Sequence, residues 1–79
     1  MNTTAQAVSK TIANLGLGYE RYNGDYGYKV EFDKNEGCII VMNYHYAQEN
    51  ALAKDLQNAG YNAKEQNAFC TFVYGKVGA

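Results

Sequence analysis

The chain lacks the charge pattern of a nucleic-acid or membrane binder. Its 79 residues include seven Lys and Arg against eight Asp and Glu, a net charge of -1, and no run of either sign occurs. Without a basic patch there is no electrostatic footprint for duplex DNA or an anionic membrane, and the acidic residues are too sparse for a DNA mimic. The charge balance therefore favours a protein partner.

Segments that direct a protein to or across a membrane are also missing. No apolar run approaches the roughly 20 residues of a transmembrane helix. The segment Met1-Asn2-Thr3-Thr4 has neither the basic region nor the apolar region of a signal peptide. The only cysteines, Cys38 and Cys70, form no CxxC motif and do not suggest a disulfide framework. We therefore expect a cytoplasmic protein with reduced thiols, in the host cytoplasm if a phage encodes it.

No combination of residues identifies a reaction. His45 is the only histidine, and catalysis would require it to act as a general base on Cys38 or Cys70. The sequence places no carboxylate or asparagine to orient it, and these three residues are too widely spaced for a zinc site. The sequence thus predicts no catalytic residue, no metal and no cofactor, and an enzyme centred on His45 is the third hypothesis.

Two segments, Cys38 to Met42 and Phe69 to Tyr74, are apolar or aromatic at nearly every position. Strands of this kind need cover on both faces. The remaining sequence supplies two helices, from about Ala5 to Leu15 and from about Ala47 to Ala59, each followed by a glycine. Because two helices cover one face of a small sheet, we expect the other face to be open to a partner chain, a second copy or water.

The other segments predict weaker strands. Tyr28 to Asp33 alternates between apolar and polar residues, Tyr61 to Glu65 is typical of a polar edge strand before a Gln66-Asn67 turn, and a short strand with an Asn23-Gly24 turn precedes Tyr28. The order α-β-β-β-α-β-β predicts one α+β domain over residues 1–79. We expect a two-layer sandwich, with a mostly antiparallel four- to five-stranded sheet and two helices on one face.

The patterns also predict where individual side chains point. Thr3 and Gln6 can form a capping box for the first helix. If Asp33 pairs with Cys38, one set of strand residues lies in the core and the other faces outward. The core set includes the helix stripes and comprises Ala5, Val8, Ile12, Leu15, Tyr28, Val30, Phe32, Ile39, Val41, Ala51, Leu52, Leu56 and Ala59. The outward set is Cys38, Ile40, Met42 and Tyr44.

Tyrosine is abundant, with eight in the chain. Its ring provides a large contact area at low entropic cost and its hydroxyl adds a hydrogen bond, so a set of tyrosines favours recognition, although any single one is as compatible with packing. We expect the binding residues to lie on the open face and in the loop that follows the first helix. They are Ile40, Met42, Tyr44, Phe72, Tyr74, Tyr19, Tyr22 and Tyr26.

These features predict a small non-enzymatic binding protein whose open face forms a homodimer or docks on a host protein complex. In type it resembles the accessory proteins of phages and mobile elements that inhibit host defence or transcription complexes by occupying a surface, of which the anti-CRISPR proteins are the best-known class. The alternative is a single-stranded nucleic-acid-binding module that stacks bases on the tyrosine-rich sheet. Glu20, Asp25, Glu31 and Asp33 among the aromatic residues disfavour that alternative.

Overall fold

The computed structural model describes residues 1–16, 19–44 and 51–77. Within these ranges it contains helices α1 (Ala5–Asn14) and α2 (Ala51–Asn58) and strands β1 (Tyr28–Asp33), β2 (Cys38–Asn43), β3 (Tyr61–Asn67) and β4 (Cys70–Lys76). The strands form one antiparallel sheet in the order β1-β2-β4-β3. The predicted α+β fold, an antiparallel sheet with two helices as a two-layer sandwich, is confirmed.

The sheet consists of two hairpins joined side by side. In the β1–β2 turn, the Asp33 carboxylate accepts hydrogen bonds from the backbone N–H groups of Asn35 and Glu36. In the β3–β4 turn, the Asn67 side chain accepts one from the N–H of Phe69. Both are Asx-type turns, in which a side-chain oxygen replaces a backbone acceptor. The hairpins meet along β2 and β4, so the two strands with the most apolar sequences occupy the centre of the sheet.

The core lies between the helices and one face of this sheet. Asp33 pairs with Cys38 as predicted, and Ile39 and Val41 are fully buried. The buried cluster contains residues of both helices and all four strands: Val8, Ile12, Tyr28, Ile39, Val41, Leu52, Leu56, Tyr61, Ala63 and Val73. Its members on β1, β2, β4 and the middle of β3 share a face through their register, so α1 and α2 cover the same face.

The first helix begins at Ala5 as predicted, but its N-cap is Thr4, one residue after the predicted Thr3. The Thr4 hydroxyl, and not that of Thr3, accepts the hydrogen bond from the N–H of Ala7. Thr3 and Thr4 have the same intrinsic preference for the N-cap position, so residue type alone does not distinguish them. The Thr3 hydroxyl is buried and has no partner. At the other end Gly16, with a φ of +95°, ends the helix as expected.

The second helix is described from Ala51, and the predicted residues 47–50 lie outside the described residues. Leu52 and Leu56 are buried as predicted. The alanines predicted to flank them, Ala51 and Ala59, are exposed, and Ala53 is buried instead. The inward face of the helix is therefore rotated from the predicted one toward Ala53.

Two predictions about the strands are wrong. Phe32 lies on the helix-covered face but is 51% exposed, because β1 is an edge strand and the packed cluster reaches Val30 and not Phe32. The polar strand β3 runs to Asn67, so the predicted turn at Gln66-Asn67 is displaced to residues 68–69. Phe69 is consequently a half-exposed turn residue and not the first residue of β4.

The predicted strand and hairpin before β1 are also wrong within residues 19–27. Arg21 makes an isolated parallel bridge to Tyr28. In it, the N–H of Tyr28 donates to the backbone carbonyl of Glu20, and the N–H of Tyr22 donates to the backbone carbonyl of Tyr28. The turn at Asn23-Gly24 is present, but the chain bends again at Gly27, whose φ is +116°. A Cβ atom there would lie 2.7 Å from the Arg21 carbonyl, so only glycine permits this close approach.

Candidate protein-binding surface

The face of the sheet opposite the helices carries an apolar strip over its two central strands. Met42 pairs with Cys70 and Ile40 with Phe72, and Tyr74 follows on the same side of β4. We call these residues, Ile40, Met42, Cys70, Phe72 and Tyr74, the open face. All are partly or largely exposed. The expectation that one apolar face lies outside the helical cover therefore agrees with the described residues.

Tyr44 and Tyr22 extend the open face at the end where β2 finishes. The N–H of Tyr44 donates to the carbonyl of Gly27 over 2.7 Å, which fixes this tyrosine beside the loop before β1. Its ring centroid lies 4.7 Å from that of Tyr22, and its hydroxyl is 3.6 Å from the Met42 sulfur. Because both rings are more than a third exposed, they form an aromatic end to the surface.

The other end of the open face is aromatic as well. The rings of Phe72 and Tyr74 meet edge to face, with centroids 6.3 Å apart and planes at 72°. Tyr74 is 45% exposed while Phe72 is partly buried below it. Edge-to-face packing is a favourable arrangement of two aromatic rings, so Phe72 and Tyr74 support each other at this end of the open face.

The remaining two predicted binding tyrosines lie elsewhere. Tyr26 is 46% exposed in the turn that the Asn23 side chain stabilises. Tyr19 packs against the core, and its hydroxyl donates to the Asp55 carboxylate of α2 over 2.5 Å. Burial raises the pKa of the Tyr19 phenol strongly, and the Asp55 carboxylate adds to the rise. The structure thus brings six of the eight predicted residues together and gives Tyr19 a contact between the first loop and α2.

The two cysteines lie in different environments. Cys70 belongs to the open face, and its alternation with Phe72 and Tyr74 was the signal that could have shown it. Cys38, predicted to face outward, has the expected register but is fully buried, because strand alternation gives the face on which a side chain lies and not whether neighbouring side chains cover it. Burial raises the pKa of both thiols. A protonated thiol is a poor nucleophile, which counts against cysteine chemistry.

Charged side chains flank the open face at its two edges. Lys29 and Glu31 on β1 pair with Met42 and Ile40, and Lys64 on β3 pairs with Phe72. All three charged residues are exposed. Both signs therefore border the apolar strip, whereas a phosphate backbone needs a positive excess.

Two open clefts lie beside Arg21, next to α1. The larger, of about 480 Å³, is lined by Tyr19, Glu20 and Arg21, and the smaller, of about 330 Å³, by residues that include Ser9 and Arg21. Tyr28 borders both, and its buried hydroxyl has no hydrogen-bond partner. Burial raises the pKa of this phenol, and the Arg21 charge partly offsets the rise. With Glu20 beside Arg21 the charge of the larger cleft is mixed, and neither cleft selects one class of ligand.

The described residues contain no group of three or more His, Cys, Asp or Glu that could hold a metal ion. His45 lies outside the described residues, so its proposed catalytic role has no structural test. No helix within the described ranges is long and apolar enough to span a membrane. No protein-family model, curated protein or solved structure matches the chain. Among the described residues, the open face and its tyrosine end are the strongest candidate site because they bring apolar and aromatic side chains together at the surface.

Proposed function

We propose that this chain is a small non-enzymatic binding protein that acts through its open face. The observation that carries the proposal is the placement of both helices on one side of the sheet, which leaves Ile40, Met42 and Phe72 at the centre of an apolar strip on the other. Apolar patches of this kind on small domains are typical of interaction sites. Covering about 400 Å² of apolar surface, at roughly 25 cal/mol per Å², gains on the order of 10 kcal/mol before association costs.

The composition of the open face favours a protein as the occupant. Its centre is aliphatic and aromatic, and its rim carries Glu31 as well as Lys29 and Lys64. Interfaces between proteins combine an apolar centre with a mixed polar rim in this way. A cytoplasmic inhibitor that occludes a host protein complex, of the anti-defence type, is the biological role that we propose for such a surface.

Site-specific photo-crosslinking tests the proposal. A photoreactive phenylalanine analogue replaces Met42 or Phe72 in cells that express the protein, and Lys10, which is exposed on α1, is the matched control position. We expect protein adducts of discrete mass from the two open-face positions and none from position 10. Adducts to nucleic acid, or equal adducts at all three positions, would contradict the proposal.

Salt dependence separates this proposal from the single-stranded nucleic-acid alternative. An apolar protein interface changes little in affinity between 50 and 200 mM salt, whereas binding that neutralises several phosphates weakens by orders of magnitude. Met42→Glu places a charge at the centre of the open face, and we expect it to reduce protein binding while the fold remains intact.

A further inference from the structure

One row of side chains crosses the open face from edge to edge. Glu31 on β1 pairs with Ile40, Ile40 with Phe72, and Phe72 with Lys64 on β3. Neighbouring strands are about 4.8 Å apart, so the acidic and basic ends of the row are separated by about 14 Å. The row is therefore acidic at one edge, apolar in the middle and basic at the other edge.

Such a row is complementary to itself when turned over. A second copy placed face to face, and related by a two-fold axis parallel to the strands between β2 and β4, exchanges the two edges of the sheet. Glu31 then lies over Lys64 of the partner subunit, and Ile40 lies over Phe72 of the partner subunit. Both contacts occur twice, because a two-fold interface repeats each pair.

We infer that the open face is a self-association surface, with a second copy of this chain in that orientation as its occupant. The inference rests on the proposed function, because it concerns the same surface: a second copy covers the open face at high protein concentration, and dissociation of a weak dimer leaves that face to the host protein. It accounts for the opposite charges at the two ends of the row that crosses the apolar strip.

The charges also favour this alignment over the other simple one. A two-fold axis perpendicular to the strands would place Glu31 over Glu31 and Lys64 over Lys64, and these like-charge contacts would offset the two attractive contacts that the same axis makes between Lys29 and Asp33. In the inferred alignment the neighbouring row sets Lys29 over Asn67 and Met42 over Cys70, since these residues share a register across the sheet. That row adds no like-charge contact and places a long side chain over a short one.

The area of the open face predicts a weak dimer. From strand spacing and rise, each copy would bury about 400 Å², and about 500 Å² if the tyrosine end is included. The total of about 1,000 Å² is below the 1,200–2,000 Å² of standard stable interfaces. We therefore expect reversible association with a Kd of about 10 to 100 μM, visible only across a wide concentration range.

Charge reversal provides the test. Sedimentation or light scattering from about 1 μM to 1 mM at low salt gives the dimer Kd of the wild type, Glu31→Lys, Lys64→Glu and the double variant. Each single reversal turns two attractive contacts into repulsive ones, so we expect dimerisation about tenfold weaker. The double variant should recover the wild-type Kd. A mixture of the two single variants should form a heterodimer more tightly than either variant associates with itself.

The outcomes separate the inference from the proposed function. A wild type that stays monomeric at 1 mM overturns self-association and leaves the open face available to a different protein. A dimer that weakens with Met42→Glu but ignores both charge reversals overturns the inferred orientation only. A dimer insensitive to all these substitutions overturns the inference and also weakens the proposed function, because association would then use another surface.

Discussion

The two buried core tyrosines, Tyr28 and Tyr61, should respond differently to the loss of their hydroxyl groups. They are 2% and 3% exposed, so removing either hydroxyl changes the core and not the surface. The Tyr61 hydroxyl lies 3.1 Å from the Thr11 hydroxyl, which donates to the carbonyl of Ala7 and therefore accepts from Tyr61. The Tyr28 hydroxyl has no partner. Their phenylalanine variants form a matched pair.

The magnitudes follow from hydrogen-bond energetics. A satisfied buried hydrogen bond contributes about 0.5–1.5 kcal/mol net, whereas a buried group without a partner costs about 1–3 kcal/mol. Tyr61→Phe should therefore lower the free energy of unfolding by about 1 kcal/mol. Tyr28→Phe should leave it unchanged or raise it by up to about 1 kcal/mol, which is roughly 4–8 °C in Tm for a domain of this size.

Urea unfolding followed by circular dichroism, with a common m-value, measures both changes. Tyr61→Phe serves as the internal control that the assay resolves a lost hydroxyl. If Tyr28→Phe costs as much as Tyr61→Phe, the reasoning is refuted, because the Tyr28 hydroxyl must then have a partner in solution. A water or an anion held beside Arg21 in the adjoining cleft would be the first to seek.

Three further predictions concern the first loop and the thiols. Gly27→Ala should destabilise the fold by about 3 kcal/mol or more, because its Cβ would overlap the Arg21 backbone. Gly24 has a similar φ but no atom near the position of a Cβ, so Gly24→Ala should cost only about 1–2 kcal/mol. Urea unfolding of the two variants measures the difference. Folding raises the pKa of Tyr19, so the contribution of this phenol to the free energy of unfolding is fully present below about pH 10, the ordinary phenol pKa. That contribution is lost as the pH rises above this value. Tyr19→Phe and Asp55→Asn should both flatten that alkaline loss in unfolding titrations, and an unchanged slope would contradict the contact. Burial raises the pKa of Cys70, so iodoacetamide at pH 7.5 should modify this thiol at least about tenfold more slowly in the folded protein than in urea. Mass spectrometry measures both rates, and equal rates would contradict the partial burial of Cys70.

Much of the fold could be predicted because its signals are local. The turn from Asp33 to Gly37 and the alternation before it determine the β1–β2 register, and with it which of Ile39 and Ile40 faces the core. Gly16 marks the end of α1 for the same local reason. The details that failed depend on contacts between distant segments. Alternation places Phe32 on the correct face but cannot say how far α1 extends over it.

The candidate site shows the same division between local and distant signals. The apolar composition of the central strands predicts an open face, and strand alternation assigns Met42 and Phe72 to it. The strand order follows from the β2–β4 contact, which joins residues about 30 positions apart and has no local signature. For that reason the sequence does not predict that Glu31 and Lys64 lie at the two ends of one row across the sheet. The contact between Tyr19 and Asp55 is equally non-local and was missed too.

The open face exists only when the two hairpins have paired along β2 and β4, so the proposed binding surface forms in the last step that assembles the sheet. Each hairpin forms across a short turn and carries one half of the row, with Glu31 and Ile40 in the first and Phe72 and Lys64 in the second. Neither hairpin alone presents the open face, so the partner that we propose would bind only after the two hairpins have joined. By mass action, any such partner also stabilises that junction, and its concentration should set how often the hairpins separate.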